Sequence, residues 1–248
     1  MERKSKLISE VEAAEFIKDG MTVYVGGFSL SSHPMAIVRR IIRNGVKNLT
    51  VIGAATASIE LDILIASGAV NRVISPYIGA EGHMAICPVF RAYAQTGAID
   101  VWELDESMHY TALRAGALDL PFLPDRAASG TDYPKLNPDL KEFYDPIHNE
   151  PLIAVPAMSP DVALIYAGYS DPYGNAQFVG SGFGDRTAVH ASKMCIVQAD
   201  KIISNEEVRM NPQKTSLHNM DYVVRAPYGA HPFSSPGFYL QMILVLWL

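Results

Sequence analysis

The chain has 248 residues, 49% hydrophobic and 19% charged, with a formal net charge of −6. That length and apolar content exclude disorder and allow one large domain or two small ones. No basic run exceeds Arg39-Arg40, which excludes a nucleic-acid footprint built from many phosphate-neutralising cations on one face.

Cys87 and Cys195 are the only cysteines and have no Cys-x-x-Cys spacing. Neither a disulfide framework nor a zinc knuckle is indicated, and both read as reduced packing residues. Nothing before residue 240 approaches a membrane-spanning length, and the N-terminus leads into an amphipathic segment instead of a signal core. These features read as a cytoplasmic chain without a membrane partner.

Ser9 and Glu12 have capping-box spacing, and Val11, Ala14 and Ile17 recur at helical intervals, predicting a first helix to about residue 18. Asp19-Gly20 ends it. A short apolar strand follows, then Gly26-Gly27-Phe28, and then Pro34, which fits a first helical position. Two glycines where a strand ends let another group approach the backbone closely. Met35, Val38, Ile41 and Ile42 form one helical face that stops at Asn44-Gly45.

The pattern repeats. Strands are predicted at 49–54, 70–78 and 99–104, helices at 59–66 and 84–94, and a helix capped by Asp105 to about residue 118. Short apolar strands separated by helices imply an α/β fold: a mixed, mainly parallel sheet with helices on both faces. Ligands in such sheets bind at the carboxyl ends of strands.

Seven prolines interrupt residues 124–160, which read as an irregular excursion or as a segment that wraps a partner, with the run from Asp139 to Tyr144 as the contact. Beyond it come strands at 162–167 and 176–179 around the turn Asp171-Pro172-Tyr173-Gly174-Asn175, a helix at 186–192, and strands at 195–197 and 222–226. Residues 1–240 are expected to form one domain. The apolar tail 241–248 reads as a truncated or frame-shifted end, or as a final buried strand.

The stretch from Asp19 to Pro34 resembles the first signature of the family I coenzyme A transferases, in their alpha-type chain. Tyr24 stands among three usually apolar places, and Ser32 stands where a glycine is usual. The segments 113–124, 171–177 and 226–232 extend the resemblance across nearly the whole chain, and it is strongest to the alpha-type chains of the glutaconate coenzyme A transferase branch. The resemblance implies a fold shared with sugar-phosphate isomerases and effector-binding domains. It also implies acyl-CoA and carboxylic acid substrates, no bound cofactor, and a beta-type partner in a heterotetramer; no metal is expected, because the seven histidines show no metal-ligand spacing beyond the loose neighbourhood of Glu81 and His83.

The family's attacking glutamate lies in that partner, in a Ser-Glu-Asn-Gly-like motif. Here Ser204-Asn205-Glu206-Glu207 has the composition in the wrong order, so the nucleophile is expected from the partner. This chain would supply an acyl-binding wall, with Gly26, Gly27 and Phe28 against substrate.

Glu106 is the candidate catalytic residue, just past a strand end, where a helix N-terminus favours negative charge. Acids are common in first helical turns, so helix-end electrostatics explain it more readily than chemistry does. A steroid ring-cleaving hydrolase resembling this family uses a glutamate in the context seen here as Asp105-Glu106-Ser107-Met108, where the carboxylate would activate water or deprotonate. His109 stands beside it, as helper or as structural imidazole. A non-catalytic metabolite-binding module is the third reading. Gly180-Ser181-Gly182-Phe183-Gly184-Asp185 has Asp185 in place of a dinucleotide loop's third glycine.

Overall fold

A computed structural model describes residues 3–242. The first half alternates strand and helix: β1 (Leu7–Ile8), α1 (Glu10–Glu15), β2 (Thr22–Val25), α2 (Met35–Asn44), β3 (Leu49–Gly53) and α3 (Ile59–Ala66). It continues through β4 (Val70–Ile74), α4 (Pro88–Thr96), β5 (Asp100–Val101) and α5 (Glu106–Ala117). The excursion contains β6 (Phe122–Asp125), α6 (Tyr133–Leu136), β7 (Lys141–Tyr144) and β8 (Pro151–Pro156). The second half holds β9 (Val162–Ser170), β10 (Ala176–Gln177), α7 (Asp185–Ala191), β11 (Met194–Ile202), α8 (Asn205–Met210) and β12 (Tyr222–Arg225).

The main sheet runs β1-β12-β11-β9-β2-β3-β4-β5, every neighbouring pair parallel, with β10 folding back antiparallel on β9. Period-two alternation sends Val23, Val25 and Val51 to one face and Tyr24 and Ile52 to the other. The first face packs α1, α2 and α3, whose buried residues include Ala14, Ile37 and Leu61. The second packs α5 and α7 through Met108, Ala112 and Ala188. Strands buried on both faces explain why β9 and β11 are near-continuous apolar runs. The mainly parallel sheet covered on both faces is the expected fold.

Polar side chains from one element cap the helices of another. Gln198 Oε1 of β11 accepts from the N–H groups of Ala36 and Ile37, at 3.1 and 3.2 Å, where Pro34 offers no side-chain cap to α2. Asp62 of α3 accepts from Phe90 N–H at 2.7 Å at the start of α4. These bonds satisfy orphan donors of the first helical turn and fix each helix end over the sheet.

Two expectations change. The excursion is not irregular: β6, β8 and β7 form a three-stranded antiparallel sheet, with Leu123 paired to Val155 and Phe143 to Leu152. Pro151 and Pro156 stand at the ends of β8, where a missing donor is tolerated. Ile153 and Val155 are buried in the core beneath α5. The helix expected from residue 84 begins at Pro88, after a turn of bridges around Ala80 and Met84. The apolar tail, from residue 243 onward, lies outside the described residues.

Candidate functional site

Strand order reverses at β2 and β9. The chain runs outward from β2 through β3, β4 and β5, then returns to lay β9, β11 and β12 on the opposite side. The carboxyl ends of the two strands flanking such a reversal open a crevice. Gly26-Gly27-Phe28 follows β2 at this point, and Gly26 N–H bonds the Leu164 carbonyl of β9 at 2.9 Å.

Both glycines are required by side chains packed over them. A Cβ at Gly26 would stand 2.7 Å from Asp185 Oδ1. One at Gly27 would stand 2.5 Å from His33 Nδ1, and Gly27 also holds φ +120°, which side chains strongly disfavour. Asp185, at the start of α7, is 2% exposed. Its Oδ1 accepts from the Tyr24 hydroxyl at 2.9 Å and from Gly27 N–H at 3.4 Å. This is why a tyrosine occupies an apolar place in β2. Burial pushes the Asp185 carboxyl up to about 7, against these two hydrogen bonds.

Glu106 is the first residue of α5 and is exposed. Asp105 caps the helix through Met108 N–H at 2.8 Å. The Tyr110 hydroxyl, one turn on, donates to Glu106 Oε1 at 3.1 Å. The Tyr110 ring lies over Gly184, where a Cβ would approach Cε1 to 3.1 Å. Burial, then the bond to Glu106, raises the Tyr110 phenol and keeps it a donor. Glu106 is thus joined through Tyr110 to the end of α7 that carries Asp185, and α5 packs on α7. Phe28 stacks on Phe183, centroids 4.1 Å apart, and closes this side of the loop.

The four expected residues, Glu106, Gly26, Gly27 and Phe28, therefore border one region, with Phe183, Asp185, Tyr24 and Tyr110 between them. Those four were not singled out from the sequence as site residues. The available signals were Tyr24 at an apolar position and Asp185 ending a glycine run. His109 is fully buried in the second core, where neither ring nitrogen has a hydrogen-bond partner. Burial pulls it down to about 4, so a neutral packing imidazole sits behind the helix and away from the exposed Glu106.

Beneath the loop, His33 and Glu60 are both fully buried with Nδ1 and Oε1 3.4 Å apart. Burial lowers His33 to about 4 and raises Glu60 to about 8, so at neutral pH this is a contact of two neutral groups, not an ion pair. His33 Nε2 lies 3.0 Å from the Ser29 carbonyl oxygen, which places the ring proton there.

Fold and crevice define the class: an α/β chain with a doubly covered, mainly parallel sheet, a glycine loop at its switch point and a carboxylate on the facing helix. The Coenzyme A transferase family model matches residues 8–226. An uncharacterized protein of Archaeoglobus fulgidus is 36% identical over 96% of this chain, which spans 54% of that relative's length. The alpha-type chain of glutaconate CoA-transferase from Acidaminococcus fermentans is 32% identical over 95% of this chain and 79% of its own. The crystal structure of that transferase superposes with a TM-score of 0.90, at 31% identity over 98% of this chain and 82% of the other. The cholesterol ring-cleaving hydrolase IpdA subunit of Rhodococcus jostii is 32% identical over 92% of this chain and 80% of its own. The chain belongs to the coenzyme A transferase family.

Proposed function

We propose that this chain is the alpha-type half of a two-subunit coenzyme A transferase that moves coenzyme A between carboxylic acids, with a beta-type partner supplying the nucleophilic glutamate. The observation that carries this reading is the likeness to the alpha-type chain of glutaconate CoA-transferase along nearly the entire sequence. The partner's carboxylate attacks the thioester carbonyl, the carbon–sulfur bond breaks, and an anhydride and coenzyme A thiolate form. The thiolate then attacks the glutamyl carbonyl of the anhydride, releasing the donor acid and leaving a glutamyl thioester for the acceptor acid to discharge by the reverse sequence. Gly26, Gly27 and Phe28 serve as the acyl-side wall, packed from below by His33 and Asp185. The assembly is a heterotetramer, and two free cysteines suit a reducing, cytoplasmic setting.

A second reading rests on Glu106, exposed at the crevice and held by Tyr110, together with the likeness to the ring-cleaving hydrolase. There the Glu106 carboxylate takes a proton from water or from the substrate. One experiment separates the two: Glu106→Gln in the complex assembled with its partner. Transfer at an undiminished rate removes Glu106 from the mechanism and supports the first reading. Hydrolysis that falls by about 10²- to 10⁴-fold, with assembly intact, supports the second.

A further inference from the structure

Beneath the glycine loop, a series of polar contacts runs from the core to the crevice. Glu60 of α3 and His33, just before α2, are fully buried with Oε1 and Nδ1 3.4 Å apart. Glu60 Oε1 also accepts from Ser58 N–H at 2.8 Å. Across the ring, His33 Nε2 donates to the Ser29 carbonyl at 3.0 Å, and the Ser29 hydroxyl donates to Glu81 Oε2 at 3.1 Å. Glu81 is exposed in the turn after β4, so four residues join the floor of the loop to the open edge of the sheet.

The imidazole is held on two sides. Phe233 packs against it with centroids 4.4 Å apart, and a Cβ on Gly27 would stand 2.5 Å from Nδ1. Among the described residues, Nδ1 has no hydrogen-bond partner. With the ring proton on Nε2, Nδ1 is a bare acceptor, and a buried polar atom left unpaired is costly. A hydroxyl on Glu60 Oε1 would meet it while still accepting from Ser58, because a hydroxyl both donates and accepts. Burial, which raises Glu60 to about 8, keeps that proton in place at neutral pH. The cations on neighbouring elements are engaged elsewhere or exposed: Arg40 of α2 pairs with Glu10, Arg39 bonds the His231 carbonyl, Arg72 of β4 pairs with Asp100, and Arg91 of α4 is exposed. Asp62 on α3 is occupied by the amides of Val89 and Phe90, and burial keeps the Cys87 thiol, before α4, protonated.

We infer that Glu60 and His33 are positioning residues for the acyl-side wall: a Glu60 hydroxyl donating to His33 Nδ1 fixes the ring proton on Nε2, and that proton holds the Ser29 carbonyl and the Gly27-Phe28-Ser29 backbone in place. When Glu60 ionises, its proton leaves to solvent and the carboxylate needs a donor. The ring proton then moves from Nε2 to Nδ1, and Nε2 turns a lone pair on the Ser29 carbonyl oxygen in place of a bond. Ser29 holds φ +51°, a left-handed conformation that residues with side chains disfavour, so the freed loop relaxes out of it and Ser29 releases Glu81. The inference deepens the transferase reading and rests on it in one respect, that this wall borders the reacting acyl group.

The test pairs imidazole nitrogen-15 spectra of the full chain with pH profiles of the complex assembled with its partner, for the wild type and Glu60→Gln. A glutamine amide can donate to Nδ1 at any pH, so this variant keeps the contact and removes its titration. In the wild type, the His33 signal, assigned by its loss in His33→Gln, should report the neutral Nε2–H tautomer at pH 7 and the Nδ1–H tautomer above the Glu60 value of about 8. With that change, kcat for thioester exchange should fall by roughly fivefold between pH 8 and pH 9. Glu60→Gln should hold the Nε2–H tautomer to pH 9 and lose this limb, which a purely packing role for Glu60 would not produce. An Nδ1–H or doubly protonated ring at pH 7, a wild-type tautomer indifferent to pH, or the same limb in Glu60→Gln overturns the inference and leaves the transferase reading intact. The tautomer change in a chain whose complex shows no thioester exchange sustains the positioning of the loop and overturns the transferase reading.

Discussion

At Gly27 the backbone holds φ +120° and a Cβ would meet the His33 ring at 2.5 Å, so one substitution incurs two penalties. Gly27→Ala is expected to lower stability by about 2–4 kcal/mol, combining overpacking with an unfavourable φ, read as a drop in the denaturant midpoint. Ser32 is the converse. It holds φ +62° with a side chain attached, which explains the glycine usual at this place in the family signature. Ser32→Gly removes that strain and should raise stability by up to about 1 kcal/mol, less whatever the Ser31–Ser32 hydroxyl contact contributes. A lower midpoint for Ser32→Gly would mean that the hydroxyl contact outweighs the strain. His33 and Glu60 set a pH dependence of known sign. Burial lowers His33 to about 4, so the native state binds fewer protons than the unfolded state below the usual histidine value of about 6.5, and stability rises with pH up to there. Burial raises Glu60 to about 8, so the native state holds an extra proton and stability falls as pH rises from the carboxylate range to 8. The opposed slopes offset one another in acid; above about 6.5 the Glu60 slope remains, joined by that of Asp185 up to about 7. The thermal midpoint should therefore decline between pH 7 and 8, and Glu60→Gln should flatten that decline. An unchanged slope in the variant would show that Glu60 is charged in the native state.

Helix α5 shows how neighbouring elements decide what a sequence pattern leaves open. Gly116, near its end, looks like a weak helical residue whose replacement by alanine would gain about 1 kcal/mol. In the fold, a Cβ there would stand 2.0 Å from the Met158 carbonyl oxygen, just after β8. A backbone oxygen cannot swing aside as a flexible side chain does, so the clash outweighs the propensity. Gly116→Ala is expected to destabilise by about 1–3 kcal/mol and to loosen the small sheet first, seen as faster hydrogen exchange in β6 and β8. Protection equal to the wild type would contradict this packing. That small sheet was not legible in the sequence: Pro124, Pro151 and Pro156 read as breakers, and β6 and β8 are held by pairing between distant positions that no local period records. The main sheet was legible because strands buried on both faces must be apolar, and turns such as Asn44-Gly45 mark helix ends, with Gly45 left-handed at φ +69°. In the candidate site, Gly26 and Gly27 were readable as a loop. Their reason was not: Asp185 over Gly26 depends on α7 returning against α5 from far along the chain, and His33 over Gly27 depends on the loop folding back on itself before α2.

At the scale of the molecule, the available carboxylates discriminate between transfer and hydrolysis. An attacking carboxylate needs oxygens free to reach a thioester. Asp185 is buried and takes two hydrogen bonds, and Glu60 is fully buried beneath the loop. Of the acids placed around Gly26-Gly27-Phe28, Glu106 and Glu81 face solvent; Glu81 accepts from the Ser29 hydroxyl, and Glu106, on α5, is restrained by a single tyrosine. A chain acting through a partner's glutamate must pass an oxygen atom between acids, because the enzyme carboxylate bridges donor and acceptor through successive anhydrides. A chain acting through Glu106 as base draws its oxygen from water. With the beta-type partner present, an acceptor acid labelled with ¹⁸O in its carboxylate should therefore pass label to the released donor acid in unlabelled water, and Glu106→Gln should leave that transfer standing. Label entering the released acid only from ¹⁸O-water, and lost with Glu106→Gln, would assign the chain to hydrolysis and make Glu106 its base.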